Sequence, residues 1–274
     1  MIYTPTENAL SARERDGKDP SQLIKYMSDN RNYQLEHLFK NNPKVTDIEK
    51  KYGKYLMVPL ALPVFELPDK EHFMHWWKKY AIRPTKQKGD YVATVTGNSP
   101  FESIDLVQKI GEDWNLNMQT DNFKKEFPHL WQQVYDQLPV DDILVFNLWS
   151  AVQSFSEHRD SAEMIDCPSS FRILLYDENP ENSLFVFDNP TKPYHCEEPK
   201  FLPNVPTTNT YMWNNLRCMH GSVYDPSYKK VLGVIVGLVN PDRYDEVMSR
   251  SIETYKDHCL VSKNGIENYV HLQT

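Results

Sequence analysis

The sequence lacks the paired cysteines of a disulfide framework or of a zinc site. Only four cysteines occur in 274 residues, and no two of them form a CxxC pair. They are Cys167, Cys196, Cys218 and Cys259. This usage is typical of reduced thiols in a cytoplasmic protein, and it gives no short metal-binding spacing.

Long apolar segments and a secretion signal are also absent from the sequence. The longest apolar runs, Leu56–Val64 and Val231–Val239, are about half as long as a helix that crosses a bilayer. The first residues, Met1–Leu10, are polar and do not combine a basic start with an apolar stretch. We therefore expect a soluble protein of the cytoplasm with no membrane partner.

Basic segments are too sparse to predict a nucleic-acid partner. The 30 Lys and Arg residues oppose 38 Asp and Glu residues, giving a net charge of -8 with no dense basic block. Hydrophobic residues make up 40% of the chain and aromatic residues 12%, which is enough for a packed core. The composition favours a globular protein that acts on a small molecule or a peptide. It leaves the oligomeric state open.

Helical patterns dominate the first half of the chain. After a polar lead-in of about 25 residues, apolar residues recur at helical spacing from Ser21 onward. Two more segments, Glu71–Ile82 and Asn122–Leu138, have the same periodicity. Between them, the proline-containing stretch Leu56–Leu67 predicts an edge strand or an extended segment.

Short strands dominate the chain after Pro139, and a helix is predicted to close it at Asp242–Cys259. The predicted strands are Ile143–Phe155, Phe171–Tyr176, Ser183–Phe187, Thr210–Trp213 and Lys230–Val239. Helices followed by consecutive strands indicate an α+β fold with an antiparallel sandwich or barrel as its core. We expect a helical N-terminal portion (1–120) packed on a core portion (121–274), together forming one compact domain.

One group of residues has the spacing of a metal site. His158 and Asp160 are two positions apart, so on a strand their side chains point to the same side. His220, which precedes Gly221 and lies 62 residues after His158, can supply a third ligand from another strand. Two imidazoles and one carboxylate on one face of a metal leave the opposite positions open, which suits non-haem iron(II). Zinc more often has four ligand positions with one open.

Each of these residues also has a simpler interpretation. His158 and Asp160 can form a surface pair at a strand end, and His220 can cap a turn. A second candidate pair, His72 and His75, lies at helical spacing among aromatic residues, which favours a packing face. His195 lies in a loop rich in proline and charge, and we assign it no function.

Three segments around these histidines resemble the iron(II)/2-oxoglutarate-dependent oxygenase superfamily. They are Glu157–Ser161, Phe171–Tyr176 and Trp213–Gly221. The preceding stretch Phe127–Pro139 is similar to the aspartyl/asparaginyl β-hydroxylase branch of that superfamily. The resemblance covers roughly residues 125–240, and the first 120 residues resemble no family that we can name.

The resemblance implies a double-stranded β-helix, or jelly-roll, core with Fe(II) on His158, Asp160 and His220. It also implies 2-oxoglutarate and dioxygen as co-substrates, with a basic residue about ten positions after the last histidine that binds the far carboxylate. Lys230 occupies that position, where most members of the branch have arginine. A lysine provides the charge without the bidentate fork of arginine. Arg172 and Arg217 are the alternatives for this role.

The activity implied is that of a dioxygenase, an oxidoreductase that oxidises a C–H bond of a small amino-acid-like or natural-product substrate. The outcome is hydroxylation, desaturation or oxidative cyclisation, and a protein side chain is the second choice of substrate. Two other functions fit the same residues. One is a non-catalytic cupin-like domain that binds a metal or ligand, and the other is a metalloenzyme that uses another metal and no 2-oxo acid.

Overall fold

The structure is a computed structural model that describes the central and C-terminal parts of the chain with gaps. The described residues are 43–82, 101–108, 118–151, 155–158, 170–178, 184–187, 200–214, 219–222 and 224–262. The helix predicted to begin near Ser21 lies outside these residues, as does His195.

Five α-helices and eleven strands occur in the described residues. The helices are α1 (Pro43–Tyr52), α2 (Lys70–Tyr80), α3 (Thr120–Glu126), α4 (Pro128–Gln137) and α5 (Pro241–Thr254), with a 3₁₀ turn at Lys256–His258. The strands are β1 (Tyr55–Pro59), β2 (Phe101–Gln108), β3 (Val140–Ala151), β4 (Phe155–His158), β5 (Ser170–Asp177), β6 (Leu184–Phe187), β7 (Lys200–Phe201), β8 (Thr210–Trp213), β9 (Met219–Ser222), β10 (Lys230–Val239) and β11 (Leu260–Val261).

The strands form two antiparallel sheets. The large sheet has the order β11-β1-β8-β5-β10-β3-β2, and the small sheet has the order β4-β9-β6-β7. From β3 to β10 the chain passes repeatedly between the two sheets, because β3, β5, β8 and β10 belong to the large sheet and the others to the small one. The expected α+β class with antiparallel sheets is therefore confirmed.

The large sheet buries both of its faces. On β8, Met212 belongs to a core that includes residues of α2, α3, α4 and α5, whereas Tyr211 and Trp213 belong to a separate cluster on the opposite face. That cluster also contains Leu184 and Val186 of β6, so the small sheet covers this side. We call the side of the large sheet that is turned toward the small sheet the inner face. Burial of each large apolar side chain contributes roughly 1.5–3 kcal/mol.

Helix α2 begins at a side-chain cap and packs through its aromatic residues. The carboxylate of Asp69 accepts a hydrogen bond from the His72 backbone N–H at 2.7 Å, which satisfies one of the unpaired donors of the first turn. Phe73, Trp76 and Trp77 are buried on one side of the helix. The packing interpretation of this helix is confirmed.

The helix predicted at Asn122–Leu138 is two helices in the structure, and the single-helix prediction is wrong. Helix α3 ends before Phe127 and α4 begins at Pro128. Phe127 has φ -131° and ψ 56°, outside the helical region. The ring of a proline disfavours the helical conformation of the residue before it, and proline suits the first turn of the helix that follows.

The strands after Pro139 follow the predicted pattern closely. Strands β8 and β10 have the predicted bounds, and β5 and β6 differ from theirs by one or two residues. Helix α5 and the 3₁₀ turn occupy the predicted closing helix. Among the described residues, no helix combines the length and the apolar character that crossing a membrane requires.

The region before residue 120 contributes strands to the large sheet in addition to helices. Strand β1 pairs with β8 on one side and with the short β11 on the other, so it is not the edge strand that its prolines predicted. Strand β2 pairs with β3 and forms the opposite edge of the sheet. The proposed division at residue 120 stays a prediction.

Candidate metal centre

Two of the three predicted metal ligands lie at directly opposed positions of the small sheet. Strand β4 pairs antiparallel with β9, and His158 is the register partner of His220. Directly opposed residues of an antiparallel pair have Cα atoms about 4.5–5.5 Å apart. The register is irregular between Phe155 and His158, because four residues of β4 (155–158) lie opposite three residues of β9 (220–222). Such bulges are common next to active sites.

The third predicted ligand, Asp160, lies outside the described residues, as do Arg217 and the side chain of His158. Within the part of the chain that the structure does describe, no three His, Cys, Asp or Glu side chains converge in a metal-binding group. The metal triad therefore stays a prediction, supported by the backbone register of its two histidines.

The imidazole of His220 is buried between the two sheets. Its residue is 5% exposed, and its ring lies 5.2 Å from the ring of Trp213, centroid to centroid, at 70°. Trp213 is the last residue of β8 on the inner face of the large sheet. Trp213 ends β8 in the large sheet and His220 lies on β9 in the small sheet, so this aromatic contact connects the two sheets.

Lys230 extends from the large sheet toward the same region. Its residue is 4% exposed, and its Nζ donates a hydrogen bond to Ser222 Oγ at 2.8 Å. Ser222 and His220 are two positions apart on β9, so their side chains share one face about 7 Å apart. The ammonium group therefore lies one side-chain repeat from the His220 imidazole. Although Lys230 opens its strand, this strand end is not exposed to solvent.

The environment of Lys230 disfavours its charged form. Burial lowers the pKa of the ammonium to about 8, and the negative charge of Asp177 opposes this shift. Lys229, the preceding residue, is exposed. Of these two adjacent lysines, Lys230 is the buried one.

Arg172 is the second buried cation on the inner face. Phe171 and Ile173 pack on the helix side of the sheet, and Arg172 points away from them, as alternation along a strand predicts. Its Nη1 donates hydrogen bonds to Ser170 Oγ at 3.0 Å and to the Phe171 carbonyl at 3.2 Å. Its guanidinium carbon lies 5.2 Å from the centre of the Trp213 ring. These contacts fix the group against Trp213.

Sequence analysis did not identify the other polar side chains of the inner face. The register aligns Arg172 with Val234, Asn147 and Asp105 across four neighbouring strands. Asp105 is 6% exposed, on the opposite side of β2 from Ile104, which belongs to the helix-side core. The only sequence signal for Asp105 is the polar–apolar alternation of β2, and this pattern is equally typical of a solvated strand.

The alternative histidine pair on α2 has a structural explanation. His72 Nε2 lies 3.1 Å from a carboxylate oxygen of Glu126, and its ring packs 5.4 Å from the ring of Phe127. His75 is exposed on the same helix. These contacts join α2 to α3, in agreement with the predicted packing role.

Comparison with known proteins gives similar solved structures but no family. No protein-family model and no curated protein matches the sequence. The chain is similar to an oxidoreductase of the 2OG-Fe(II) oxygenase family from Burkholderia pseudomallei, with 13% identity and a TM-score of 0.36 over 70% of this chain and 90% of the other. It is also similar to IDO from Bacillus thuringiensis, with 11% identity and a TM-score of 0.25 over 86% and 97% of the two chains. Scores this low establish neither a shared fold nor a shared activity.

Proposed function

We propose that this protein is an iron(II)- and 2-oxoglutarate-dependent oxygenase that oxidises a C–H bond of a small molecule. The observation that carries the proposal is the register of the small sheet, in which His158 opposes His220. A buried lysine, Lys230, contacts the residue two positions beyond His220 on the same strand. The register of the two histidines and the contact of Lys230 with the strand of His220 support a common site between the two sheets.

The strand order supports a double-stranded β-helix as the core. Strands β3, β10, β5 and β8 are adjacent in the large sheet, and β4, β9, β6 and β7 are adjacent in the small one. Eight consecutive strands in two facing antiparallel sheets form a jelly roll. Strands β1, β2 and β11 extend the large sheet on both sides, and the helices cover its outer side.

The residues present fit an iron(II) site. His158 and His220 would supply two nitrogen ligands from adjacent strands, and Asp160, two positions after His158, would supply the carboxylate. The burial of His220 suits a ligand to a metal in a site that excludes bulk water. When bound, iron(II) supplies the chemistry that couples the conversion of 2-oxoglutarate and dioxygen to succinate and carbon dioxide with oxidation of the substrate.

Lys230 is the residue that we assign to the far carboxylate of 2-oxoglutarate. Its ammonium group and the Ser222 hydroxyl are two polar groups held 2.8 Å apart, and both can bind a carboxylate oxygen. Burial disfavours the charged form of this ammonium group, and a bound carboxylate would stabilise it. Arg172 is the weaker candidate because it lies on β5, one strand away from the position that the resemblance gives to the anchor, and Arg217 lies outside the described residues.

The protein's own contribution is to orient the reactants and to exclude water from them. Lys230 and Ser222 would fix one end of the co-substrate, and the apolar cluster of Tyr211, Trp213 and Leu232 lines the same inner face. A cytoplasmic enzyme acting on a small molecule, without a nucleic-acid or membrane partner, remains our proposal for its setting. Hydroxylation is the simplest outcome, with desaturation or cyclisation where oxygen transfer is blocked.

Succinate formation tests the proposal. We expect the purified protein to convert 2-oxoglutarate to succinate in air with iron(II) and ascorbate, at least slowly without substrate. His220→Ala should abolish this conversion, whereas His75→Ala, a change of an exposed histidine on α2, should leave it intact. Metal binding without succinate formation would instead favour a cupin-like binding domain. Iron-dependent turnover that ignores 2-oxoglutarate would favour a different metalloenzyme.

A further inference from the structure

Among the described residues, two cations are buried on the inner face, and each is connected to the region of His220 through a different residue. Lys230 is connected to β9 through Ser222, and Arg172 is connected to His220 through the Trp213 ring that both of them contact. On β10, Lys230 and the register partner of Arg172, Val234, are four residues apart, or about 13 Å along the strand. The two cations therefore lie at two separate positions of the inner face.

Arg172 is held in place before any ligand binds. Its Nη1 donates to Ser170 Oγ, and the same hydroxyl donates to the Trp213 carbonyl at 3.2 Å. Ser170 and Trp213 are also register partners in the sheet. Hydrogen bonds at one side of the guanidinium and stacking on the indole limit its rotation, and such preorganisation lowers the entropy cost of binding.

Trp213 adds a hydrogen-bond donor at the same place. Its residue is 1% exposed, and within the described residues its indole Nε1–H has no hydrogen-bond partner. A buried donor without an acceptor costs about 1–3 kcal/mol, so buried N–H groups of this kind are uncommon. An oxygen atom of a ligand that binds next to Arg172 would satisfy it.

We propose that Arg172 and the indole N–H of Trp213 bind a carboxylate of the substrate. The inference rests on the proposed function, because one end of 2-oxoglutarate is assigned to the metal and the other to Lys230. A carboxylate that accepts hydrogen bonds from the Trp213 indole and from Arg172 is then a group of the molecule that is oxidised. The substrate class is accordingly a small carboxylic acid, with free amino acids as the natural first probes.

A comparison of acids with their amides tests this assignment. The probes are L-amino acids and the corresponding L-amino acid amides, which keep the ammonium group and side chain but lose the carboxylate charge. Binding is measured by calorimetry without oxygen, on protein loaded with iron(II) and 2-oxoglutarate. We expect at least one acid to bind about 100-fold more tightly than its amide.

Two variants identify the residues that discriminate the acid from the amide. Trp213→Phe keeps an aromatic ring beside Arg172 but removes the N–H, and it should weaken binding of the acid about tenfold. Arg172→Gln should remove the preference for the acid. Arg250→Gln, a change of an exposed residue on α5, should preserve it.

The outcomes separate this inference from the function on which it rests. If the wild-type protein forms succinate but binds no acid more tightly than its amide, the carboxylate assignment is wrong and the oxygenase proposal stands. The assignment also fails if Arg172→Gln lowers the melting temperature but keeps the acid-to-amide ratio, since Arg172 is then structural only. If the wild-type protein forms no succinate, the proposed function itself is wrong, and the carboxylate site falls with it.

Discussion

Lys230 is a lysine whose ammonium group lies inside the protein, at a position where a strand end would ordinarily place it in water. The residue is 4% exposed, and its pKa is lowered to about 8 by burial. A buried cation of this kind reduces stability, so its presence on the inner face favours a role in binding. The position of Lys230 after His220 made it a candidate carboxylate anchor from the sequence alone. Its burial and its contact with Ser222 could not be predicted in this way, because they depend on how the two sheets pack.

Replacement of Lys230 by methionine should weaken the binding of 2-oxoglutarate and stabilise the fold. Loss of the charged hydrogen bonds should raise the KM for 2-oxoglutarate about 10- to 100-fold, with a smaller effect on iron affinity. The same change removes the cost of burying the ammonium, so the free energy of unfolding at pH 7 should rise by up to about 3 kcal/mol. Steady-state kinetics and urea titrations measure the two effects.

Lys229→Met is the matched control, because Lys229 is exposed and adjacent. This variant should change neither the KM for 2-oxoglutarate nor the free energy of unfolding appreciably. If the KM for 2-oxoglutarate is unchanged in Lys230→Met, the far carboxylate is bound by another residue, and Arg172 and Arg217 would be tested next.

The lowered pKa of Lys230 predicts opposite effects of pH on binding and on stability. The charged form binds the carboxylate, so the affinity for 2-oxoglutarate should fall as the pH rises through about 8. In the unfolded chain the lysine has its ordinary pKa of 10.5, so the unfolded state binds more protons between pH 8 and 10.5. The cost of burial is therefore fully present below pH 8 and decreases above it.

These two trends are measured on the wild-type protein and on Lys230→Arg, whose guanidinium stays charged across this range. The affinity of Lys230→Arg for 2-oxoglutarate should not fall near pH 8. An equal decline in both proteins would assign the titration to another group.

Strand β10 lies in the interior of the large sheet, because it pairs with β3 on one side and β5 on the other. Its apolar run predicted the strand with the observed bounds. Other elements were harder to predict. Strand β2 alternates polar and apolar residues, including Asp105, and carboxylates are depleted in strands. Pro128 indicates the break between α3 and α4, but the helical periodicity on both sides of it led to the prediction of a single helix.

Two glycines of β10 should respond differently to the addition of a methyl group. At Gly237 a Cβ atom would lie 2.8 Å from the Asp142 carbonyl oxygen and 2.8 Å from Val140 Cγ1, next to a register shift. At Gly233 the nearest atom, Phe146 Cε2, would be 3.3 Å away. We expect Gly237→Ala to lower the free energy of unfolding by about 1–3 kcal/mol and Gly233→Ala to lower it by less.

Urea titrations of the two variants compare them in the same strand. Equal losses would mean that the backbone around Gly237 moves to accommodate the methyl group.

At the scale of the whole molecule, the candidate site belongs to neither sheet alone. His158, His220 and Ser222 lie on the small sheet, whereas Lys230, Arg172 and Trp213 lie on the large one. Sequence periodicity assigned the strands and their faces correctly in several cases. It gave no information on which residues of one sheet contact the other, and the pairs Lys230–Ser222 and Trp213–His220 are contacts of that kind.

A metal ion bound by residues of β4 and β9 should stabilise the folded protein. Manganese(II) binds donors similar to those of iron(II) without the oxygen chemistry, so it can be added in air. At about 100 times its dissociation constant, a ligand of the folded state contributes about 2.7 kcal/mol, which raises the melting temperature of a domain of this size by several degrees. A chelator should reverse the shift.

His220→Ala should remove this stabilisation, and the exposed-site variant His75→Ala should retain it. A shift that persists in His220→Ala would assign the metal to a different set of residues.

The order in which the strands are paired has a consequence for synthesis of the protein. Strand β9 lies between β4 and β6, and β10 lies between β5 and β3, so the strand that completes the interior of each sheet is made after its neighbours. In the large sheet β10 lies between β3 and β5. More than fifty residues are synthesised between β5 and β10, so β3 and β5 lack their common partner during that time. The apolar faces of the nascent chain stay uncovered until β10 and then α5 have emerged, so the core closes late in synthesis.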